Sequence, residues 1–369
     1  MTIHALPPPQ PRASQVAFWA LVAVAAAAVT GRMGPGRDSV GPVSVRDDDG
    51  GRVREAGRGR RARSPRDIPW RGWKDILWRT YAEIGNDRLL AVAAGVVFYA
   101  LLAIFPALTA LVSSYGLFAD PTTIAEHLSF LANVMPAAAY ELIQQQISNL
   151  VAAGGGGLTV TFVVGLALAI WSANAGMKAI FDALNVVYDE TEKRGFIRLN
   201  LVSLAFTAAA LVLLLVIVGA VVVLPLVFAW MGLEREGGQL LTLLRWPVLL
   251  VLVALTLAVL YRVGPSREKP RWQWLSVGSV FASVAWLAMS LAFSYYLANF
   301  ADYNATYGSL GAVIGLMMWM WLSTVCVLVG AQINSEIEHQ TARDSTEGPP
   351  KPRGQRGALM ADTVGAAQD

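Results

Sequence analysis

The sequence predicts an all-α polytopic membrane protein with six transmembrane helices, an outer amphipathic helical flap and disordered cytoplasmic termini. Three observations support this fold class. Apolar residues make up 55% of the chain and charged residues only 15%, whereas average globular proteins carry about 25% charge. The apolar residues form long runs, as membrane-spanning helices require. Basic residues collect in alternate loops, which is typical of a multi-pass membrane protein.

Six apolar runs define a membrane domain that covers residues 70–340. Each run is long enough for a helix that crosses the roughly 30 Å hydrocarbon core of a bilayer. Pro106 lies inside the first run, where it removes one backbone hydrogen bond and predicts a kink. The predicted spans are 89–118, 158–185, 199–230, 240–261, 272–299 and 309–334.

The regions that flank the membrane domain, 1–69 and 341–369, are predicted to be disordered because they contain few large apolar residues. Within the first region, the apolar run 16–29 is short for a span. It is interpreted as a marginal extra span, an interfacial segment or an artefact of an over-long start. Seven arginines between residues 52 and 66 indicate contact with anionic lipid head groups rather than with nucleic acid.

Basic residues between the predicted spans give the orientation. The loops 119–157 and 300–308 contain no Lys or Arg, and in the loop 231–245 two arginines are offset by two glutamates. The loops 186–198 and 262–271 and the tail carry three, four and four basic residues. This alternation predicts that both termini are cytoplasmic.

Two amphipathic segments are predicted outside the spans. Residues 70–84 place apolar side chains on one face, which indicates an interfacial helix that leads into the membrane. Residues 140–150 do the same in the loop without basic residues, and Gly154–Gly157 after them predict a flexible hinge. We interpret residues 120–157, which contain this second segment, as an amphipathic helical flap on the outer surface. The face of the first segment consists of Trp73, Ile76, Leu77, Thr80 and Ile84.

The last predicted span carries a row of small or polar residues on one helical face. Such a face lets another helix approach closely, and Gly311-x-x-x-Gly315 is a known small-residue packing pattern. The face is expected to pack within the bundle or in a dimer, with the lining of a substrate path as the alternative. The residues predicted to pack are Gly308, Gly311, Gly315 and Gly330.

A polar stripe ends the second predicted span. Asn174, Lys178, Asp182 and Asn185 recur at intervals of four, four and three residues, so they share one helical face. Two interpretations remain open. The stripe is either an interfacial helix end with a local Lys178–Asp182 ion pair, or a polar pathway that faces a cavity, as intramembrane charges usually do.

Four arginines are expected at the cytoplasmic face: Arg88, Arg194, Arg198 and Arg262. With Lys178 they could bind phosphate head groups. The alternative is an ordinary belt of charges that orients the protein in the membrane.

The sequence contains none of the common catalytic or nucleotide-binding motifs. It has no Walker A loop, no Gly-x-Ser-x-Gly elbow, no His-Glu-x-x-His and no cluster of metal-binding acids. We therefore predict no catalytic residue, no metal, no cofactor and no enzyme activity. The expected partners are membrane lipids and either a second copy or an envelope protein, but not nucleic acid.

Three groups of residues resemble, in order, a known family. Asp87-Arg88, Phe98-Tyr99 and Phe105-Pro106 form the first group, and Asn185, Tyr188, Glu192 and Arg194 form the second. The third comprises Tyr307 to Gly311, Trp319 and Gly330-Ala331 through Asn334. Over about residues 75–340 the chain is similar to the YihY/BrkB group of bacterial inner-membrane proteins, once mislabelled ribonuclease BN. One departure is Gln332, where the family commonly has Glu.

The resemblance implies a six-span helical fold in the bacterial inner membrane. It also suggests transport of a lipid or other amphiphile in envelope biogenesis, because members of the group have been associated with envelope lipid export. The expected function is therefore that of a transporter or flippase-like protein. A non-transporting scaffold for envelope assembly is the alternative. A ribonuclease is rejected, because such enzymes use His and Asp clusters that bind metal ions.

Overall fold

A computed structural model describes residues 57–118, 137–230, 234–299 and 311–368. The expected segment 16–29, the first part of the flap and Gly308 lie outside these ranges. Apart from an isolated bridge between Pro270 and Thr346, the regular structure in the described ranges is helical. It consists of a 3₁₀ helix at Pro65–Asp67, α1 Trp70–Asn86, α2 Leu89–Phe118, α3 Ala137–Val187, α4 Phe196–Trp230, α5 Glu234–Val263, a 3₁₀ helix at Trp272–Trp274, α6 Ser276–Asn299, α7 Gly311–Gln340 and α8 Leu359–Asp362.

Four helices in the described ranges are long and apolar enough to cross a membrane. They become five if α1 and the start of α2, which meet at a 60° bend, are counted as one broken span. In α5 the apolar part, Pro247–Val263, is shorter. The predicted helical membrane fold is therefore confirmed, while the count of six spans stays a prediction. The four helical stretches are Val163–Val187, Phe196–Leu213, Trp272–Asn299 and Val313–Gln340.

Helix α3 runs without interruption from Ala137 to Val187. It passes through Gly154–Gly157, so the predicted flexible hinge is wrong, and residues 140–150 form the first part of the same helix. A glycine in a helix costs only about 1 kcal/mol relative to alanine. In a membrane, a break in the helix leaves several backbone groups without partners, at several kcal/mol each. Continuity is therefore the less costly solution.

The hydrophobic core surrounds the second half of α7. Leu328 and Ala331 of α7 pack in one buried cluster with Phe181 and Leu184 of α3 and Tyr261 of α5. The Tyr261 hydroxyl donates to the Val327 carbonyl oxygen at 2.7 Å, which fixes α5 to α7. Because α7 contacts α1, α2, α3 and α6, the last predicted span is the central helix of the described bundle.

The small-residue face of α7 makes a close backbone contact at Gly330. A Cβ on Gly330 would lie 2.6 Å from the Gly278 carbonyl oxygen of α6, whereas a Cβ on Gly315 would meet no atom of the described residues within 4 Å. Gly311 is buried. Beside Gly330, the Asn334 side chain accepts a hydrogen bond from the Gly278 amide at 2.7 Å and donates one to the Leu275 carbonyl at 3.1 Å.

Residues 57–69 and 341–368, which were predicted to be disordered, pack on the end of the bundle that carries the basic loops. We call this the basic end. Arg60 donates to the carbonyl oxygens of Gln340 and Gly365, and the Thr341 hydroxyl donates to that of Ala62. Buried Arg356 donates to carbonyl oxygens on both sides of it in the tail. These segments contain few apolar residues, but hydrogen bonds from arginine side chains hold them against the bundle.

Four of the five residues on the predicted apolar face of α1 are buried or partly buried, and charged residues beside that face are buried with them. Ile76 and Thr80 are buried. Asp75 and Arg79 are buried beside them, because each has an ion-pair partner: Asp75 binds Arg58 at 2.6 Å and Arg79 binds Glu336 at 2.5 Å. The predicted face member Leu77 is 51% exposed. The exposed face instead carries three large aromatic side chains and one leucine: Trp70, Leu77, Trp78 and Tyr81.

Candidate functional site

A cleft of about 580 Å³ opens at the basic end, between the α3–α4 connection, the α5–α6 loop and the C-terminal segment. We call it the basic cleft. Cationic side chains outnumber carboxylates in its lining. The cations are Lys193, Arg194, Arg198, Arg262, Arg267 and Lys269, and the carboxylates are Glu268 and Glu347.

The α3–α4 connection is shaped by Glu192. Its carboxylate accepts two hydrogen bonds of 2.7 Å from the Arg194 guanidinium and one of 3.1 Å from the Asn185 side chain. Partial burial raises the pKa of Glu192, but hydrogen bonds from Arg194 and Asn185 outweigh that effect and lower it to about 2. Arg194 also donates to the carbonyl oxygens of Val263 and Gly264. The connection is thereby joined to the end of α5.

Asn185 joins the same two loops from inside the protein. Its side-chain oxygen accepts from the Ser266 amide at 2.7 Å, and the Ser266 hydroxyl accepts from the Lys193 amide at 2.9 Å. Gly264 must be glycine, because a Cβ there would lie 2.5 Å from the backbone carbonyl oxygen of Leu260. Asn185 therefore has a structural role, as a buried link between the walls of the basic cleft.

The floor of the basic cleft contains a buried ion pair between Arg267 and Glu338. The guanidinium donates two hydrogen bonds to the carboxylate, at 3.0 and 2.6 Å, and neither side chain is more than 1% exposed. Arg267 also lies over the Tyr188 ring at 4.1 Å, and the Ser345 hydroxyl donates to Glu338. Burial raises the pKa of Tyr188, so its hydroxyl stays neutral. The charge of Arg267 is therefore neutralised by Glu338 inside the protein.

Ion pairs also neutralise most of the other cations. Two positive charges remain, because neither Arg198 nor Lys269 has an ion-pair partner in the described part of the chain. Cations gathered in a cleft raise the local concentration of anions, and Arg is well suited to phosphate. The pairs are Arg194–Glu192, Arg262–Glu347 and Lys193–Glu190.

Three of the four arginines that were predicted to cluster at the cytoplasmic face lie close together in the structure. Arg194, Arg198 and Arg262 line the basic cleft together. Arg88 does not line it; this exposed residue lies in the turn between α1 and α2, with a φ of 50°. Sequence reasoning missed the contribution of the tail, which supplies Glu347, because the tail was expected to be disordered.

The four residues of the predicted polar stripe lie in three environments: Asn174 and Lys178 contact α4, Asp182 is on the surface, and Asn185 lies between the walls of the basic cleft. Asn174 and Lys178 both donate to the Asn200 side-chain oxygen of α4, at 3.3 and 3.1 Å. Asp182 is exposed, and the described structure contains no ion pair between it and Lys178. That part of the interfacial interpretation is wrong: at this site the lysine charge is directed at an amide on the neighbouring helix.

The cluster of Asn174, Lys178 and Asn200, which we call the amide–lysine cluster, lies between α3 and α4. Asn174 is 4% exposed, and its side-chain oxygen has no hydrogen-bond partner among the described residues. Lys178 also lies 5.9 Å from the centre of the Trp171 ring. Asn200 was missed from the sequence, although an amide in an apolar run is itself a signal of a polar contact.

No group of three or more His, Cys, Asp or Glu side chains that could hold a metal ion occurs among the described residues. Cys326 is a free, partly buried thiol within α7.

The comparisons with known proteins agree on one family of membrane proteins. A family model described as virulence factor BrkB matches residues 80–355. YfkH of Bacillus subtilis (strain 168), named a ribonuclease-like protein, is 31% identical over 280 residues, which cover 75% of this chain and 98% of that protein. A UPF0761 membrane protein of Cronobacter sakazakii is 28% identical over 291 residues, or 76% of this chain and 94% of the relative.

Some relatives are considerably longer. A UPF0761 membrane protein of Rhodospirillum centenum is 28% identical over 269 residues, which cover 71% of this chain but 57% of the relative. The chain spans less than two thirds of the length of this protein and of three further UPF0761 membrane proteins. No solved structure matches the chain.

Proposed function

The chain belongs to the family described as virulence factor BrkB, and we propose that it is a transporter or flippase-like protein for a lipid or other amphiphile of the bacterial envelope. The observation that carries the proposal is the basic cleft, which adjoins an exposed apolar helix face. An anionic amphiphile matches both surfaces, because its head group suits the basic cleft and its apolar chains suit the helix face.

The first turns of α4 supply both surfaces. Arg198 lines the basic cleft, while Phe196, Ile197 and Leu201 beside it are 80%, 75% and 65% exposed. On a membrane-spanning helix, exposed apolar side chains contact lipid chains. A phosphate near Arg198 and Lys269 would therefore leave the chains of the same molecule next to α4.

The amide–lysine cluster is a second polar contact, located within the bundle. Asn200 and Arg198 are two residues apart and so lie about 200° from each other around α4. The cluster thus faces α3, away from the basic cleft. Polar groups at membrane depth usually face a pathway or a partner, and Asn174 has an unused acceptor there. These features support passage of a polar head group between α3 and α4.

The proposed location is the bacterial inner membrane, with both termini and the basic cleft on the cytoplasmic side. The alternation of basic loops supports this orientation. The sequence has no nucleotide-binding motif, so transport would use an ion gradient, a partner ATPase or a downhill lipid gradient. We infer no enzyme activity; the ribonuclease-like name belongs to YfkH.

The experiment is lipid transfer between leaflets by the full-length protein in liposomes. Fluorescent analogues of phosphatidylglycerol, phosphatidylethanolamine and a lipid phosphomonoester are supplied in one leaflet, and dithionite quenching measures their transfer. The double variant Arg198→Gln, Lys269→Gln should lose most of the transfer, because it removes both uncompensated cations. Arg61→Gln, an exposed arginine outside the cleft, is the matched control and should transfer normally. Wild-type transfer equal to that of empty liposomes, with and without a proton or sodium gradient, would overturn the proposal.

A scaffold is the second candidate function. The observation that favours it is the packed basic end, where Glu338 and Gln340 of α7 are 0% exposed beneath the tail and residues 57–69. A rigid end of this kind suits contact with a protein partner. The liposome experiment separates the candidates, since a scaffold transfers no lipid.

A further inference from the structure

A second cavity, of about 800 Å³, lies between the first 3₁₀ helix and the first turns of α6. We call it the Arg66 groove. It shares no lining residue with the basic cleft, so its role is independent of the transport proposal. Its size lies within the range of about 300–1,000 Å³ that is usual for sites of small ligands. The residues that matter are Ser64, Arg66, Gln273, Ser276, Val280 and Phe281.

One end of the Arg66 groove is positively charged. Arg66 is exposed, and its guanidinium has no hydrogen-bond or ion-pair partner among the described residues. The adjacent carboxylate of Asp67 accepts hydrogen bonds from the backbone amides of Arg63 and Ser64, each at 2.9 Å, and forms no ion pair with Arg66 in the described structure. The N-terminus of α6, at Ser276, lines the same end and adds a partial positive charge. An anion is favoured at this end.

The other end of the Arg66 groove is apolar. Val280 and Phe281 are 54% and 44% exposed, although they belong to a helix that is long and apolar enough to cross a membrane. They lie four and five residues beyond Ser276, or about 6–8 Å along the helix axis. Lipid chains cover exposed apolar side chains at this depth. The groove therefore offers a cation at the membrane surface and an apolar wall just below it.

The groove is also a built feature of the fold. The Gln273 side chain donates to the Arg63 carbonyl oxygen at 2.8 Å, which ties the start of α6 to the segment before α1. Behind it, Ala62 and Ile68 pack in a buried cluster with Trp274 and Ile337. The relative position of Arg66 and α6 is thereby held by packing on both sides.

We propose that the Arg66 groove binds one acidic phospholipid, with its phosphate against Arg66 and the N-terminus of α6 and an acyl chain over Val280 and Phe281. A soluble anion would gain nothing from the apolar wall. A zwitterionic lipid would bring an ammonium group, and no carboxylate lines the groove in the described structure to receive it. The combination selects an acidic lipid over a zwitterionic one.

The first test is lipid binding to the full-length protein by native mass spectrometry in detergent. Phosphatidylglycerol is titrated against the wild type, Arg66→Gln and the control Arg61→Gln. Arg66→Gln should weaken the tightest bound lipid about tenfold, as expected for loss of a charge-assisted hydrogen bond, while Arg61→Gln binds as the wild type does. Equal binding by all three proteins would overturn the proposal.

The second test locates the lipid. Benzoylphenylalanine is placed at Phe281 or at Leu291, which is 59% exposed further along α6, in vesicles of equal phosphatidylglycerol and phosphatidylethanolamine. Photocrosslinks at position 281 should be enriched in phosphatidylglycerol, those at 291 should not, and Arg66→Gln should abolish the enrichment. Crosslinks of equal composition at both positions, or enrichment that survives Arg66→Gln, would contradict the proposed site. Either result is independent of whether the protein transfers lipid between leaflets.

Discussion

Gly278 of α6 and Gly330 of α7 lie backbone against backbone, so closely that a Cβ on either residue would overlap the carbonyl oxygen of the other. The contact brings Asn334 within hydrogen-bond distance of the Gly278 amide. Close approach of small residues is a main source of helix association in membranes, where lipid chains remove the hydrophobic driving force.

The first prediction concerns this contact. Gly330→Ala should destabilise the protein by about 1–3 kcal/mol, the usual cost of an overpacked core. Gly315→Ala is the matched control on the same helix, since a Cβ there meets no atom within 4 Å in the part of the chain that the structure describes. It should be neutral or slightly stabilising because alanine favours helix. Thermal unfolding of both variants in detergent measures the difference. An equal loss of stability in both variants would contradict the prediction that the Gly278–Gly330 contact stabilises the protein.

The second prediction is a pH dependence that arises from Glu192. Its pKa is lowered from 4.5 to about 2 in the folded protein, so its stabilising effect is fully present above about pH 4.5 and is lost as the pH falls towards 2. Glu192→Gln should reduce stability at pH 6 by about 1–2 kcal/mol, a value discounted for partial solvent exposure. The difference from the wild type should shrink towards zero as the pH falls. Chemical unfolding between pH 2.5 and 6 measures this, and a difference that stays constant with pH would be inconsistent with it.

The third prediction concerns Glu347, whose carboxylate binds Arg262 in the basic cleft. The side chain of Glu347 is 55% exposed, so its removal should leave the fold intact. Glu347→Gln frees a third cation and should increase the affinity for an anionic amphiphile by about three- to tenfold, or about 0.6–1.4 kcal/mol. Calorimetric titration with dodecyl phosphate measures the change. Asp182→Asn, an exposed carboxylate outside the cleft, is the control that should bind as the wild type does.

The fourth prediction tests water access to the amide–lysine cluster. In a Cys326→Ser background, single cysteines are placed at Lys178, at Asp182 and at Leu168, which is 52% exposed and faces lipid as a control. A water-soluble maleimide reacts with the thiolate, which needs water to form. Labelling should be fastest at 182, intermediate at 178 and slowest at 168. If position 178 reacts no faster than 168, the cluster is a closed packing contact and the proposed head-group passage fails.

Several features of the fold follow from local patterns. The predicted last span 309–334 and the observed α7 overlap along most of their length, because an uninterrupted apolar run has few alternatives to helix in a bilayer. Arg194, Arg198 and Arg262 lie together, as their place in two basic loops predicted, while their contact with head groups stays a prediction. Both results depend on residues that are near each other in sequence.

Other features depend on contacts that the sequence does not reveal. Arg79 and Glu336 are 257 positions apart, yet they form a buried ion pair. That pair buries charged residues of α1 next to its apolar face, since a charge can be buried once it has its partner. The ordered tail has the same explanation, because Arg60 and Arg356 satisfy backbone carbonyl oxygens that composition cannot assign.

The sequence by itself determined that this protein is a helical membrane protein with a basic end, since hydropathy and loop charge act locally along the chain. Only the tertiary structure decided which cations remain available. Arg194 and Arg267 are used by Glu192 and Glu338, while Arg198, Lys269 and Arg66 have no ion-pair partner in the described part of the chain. The physical reason is that a charge is neutralised by whatever lies within a few ångströms in space, irrespective of distance along the chain.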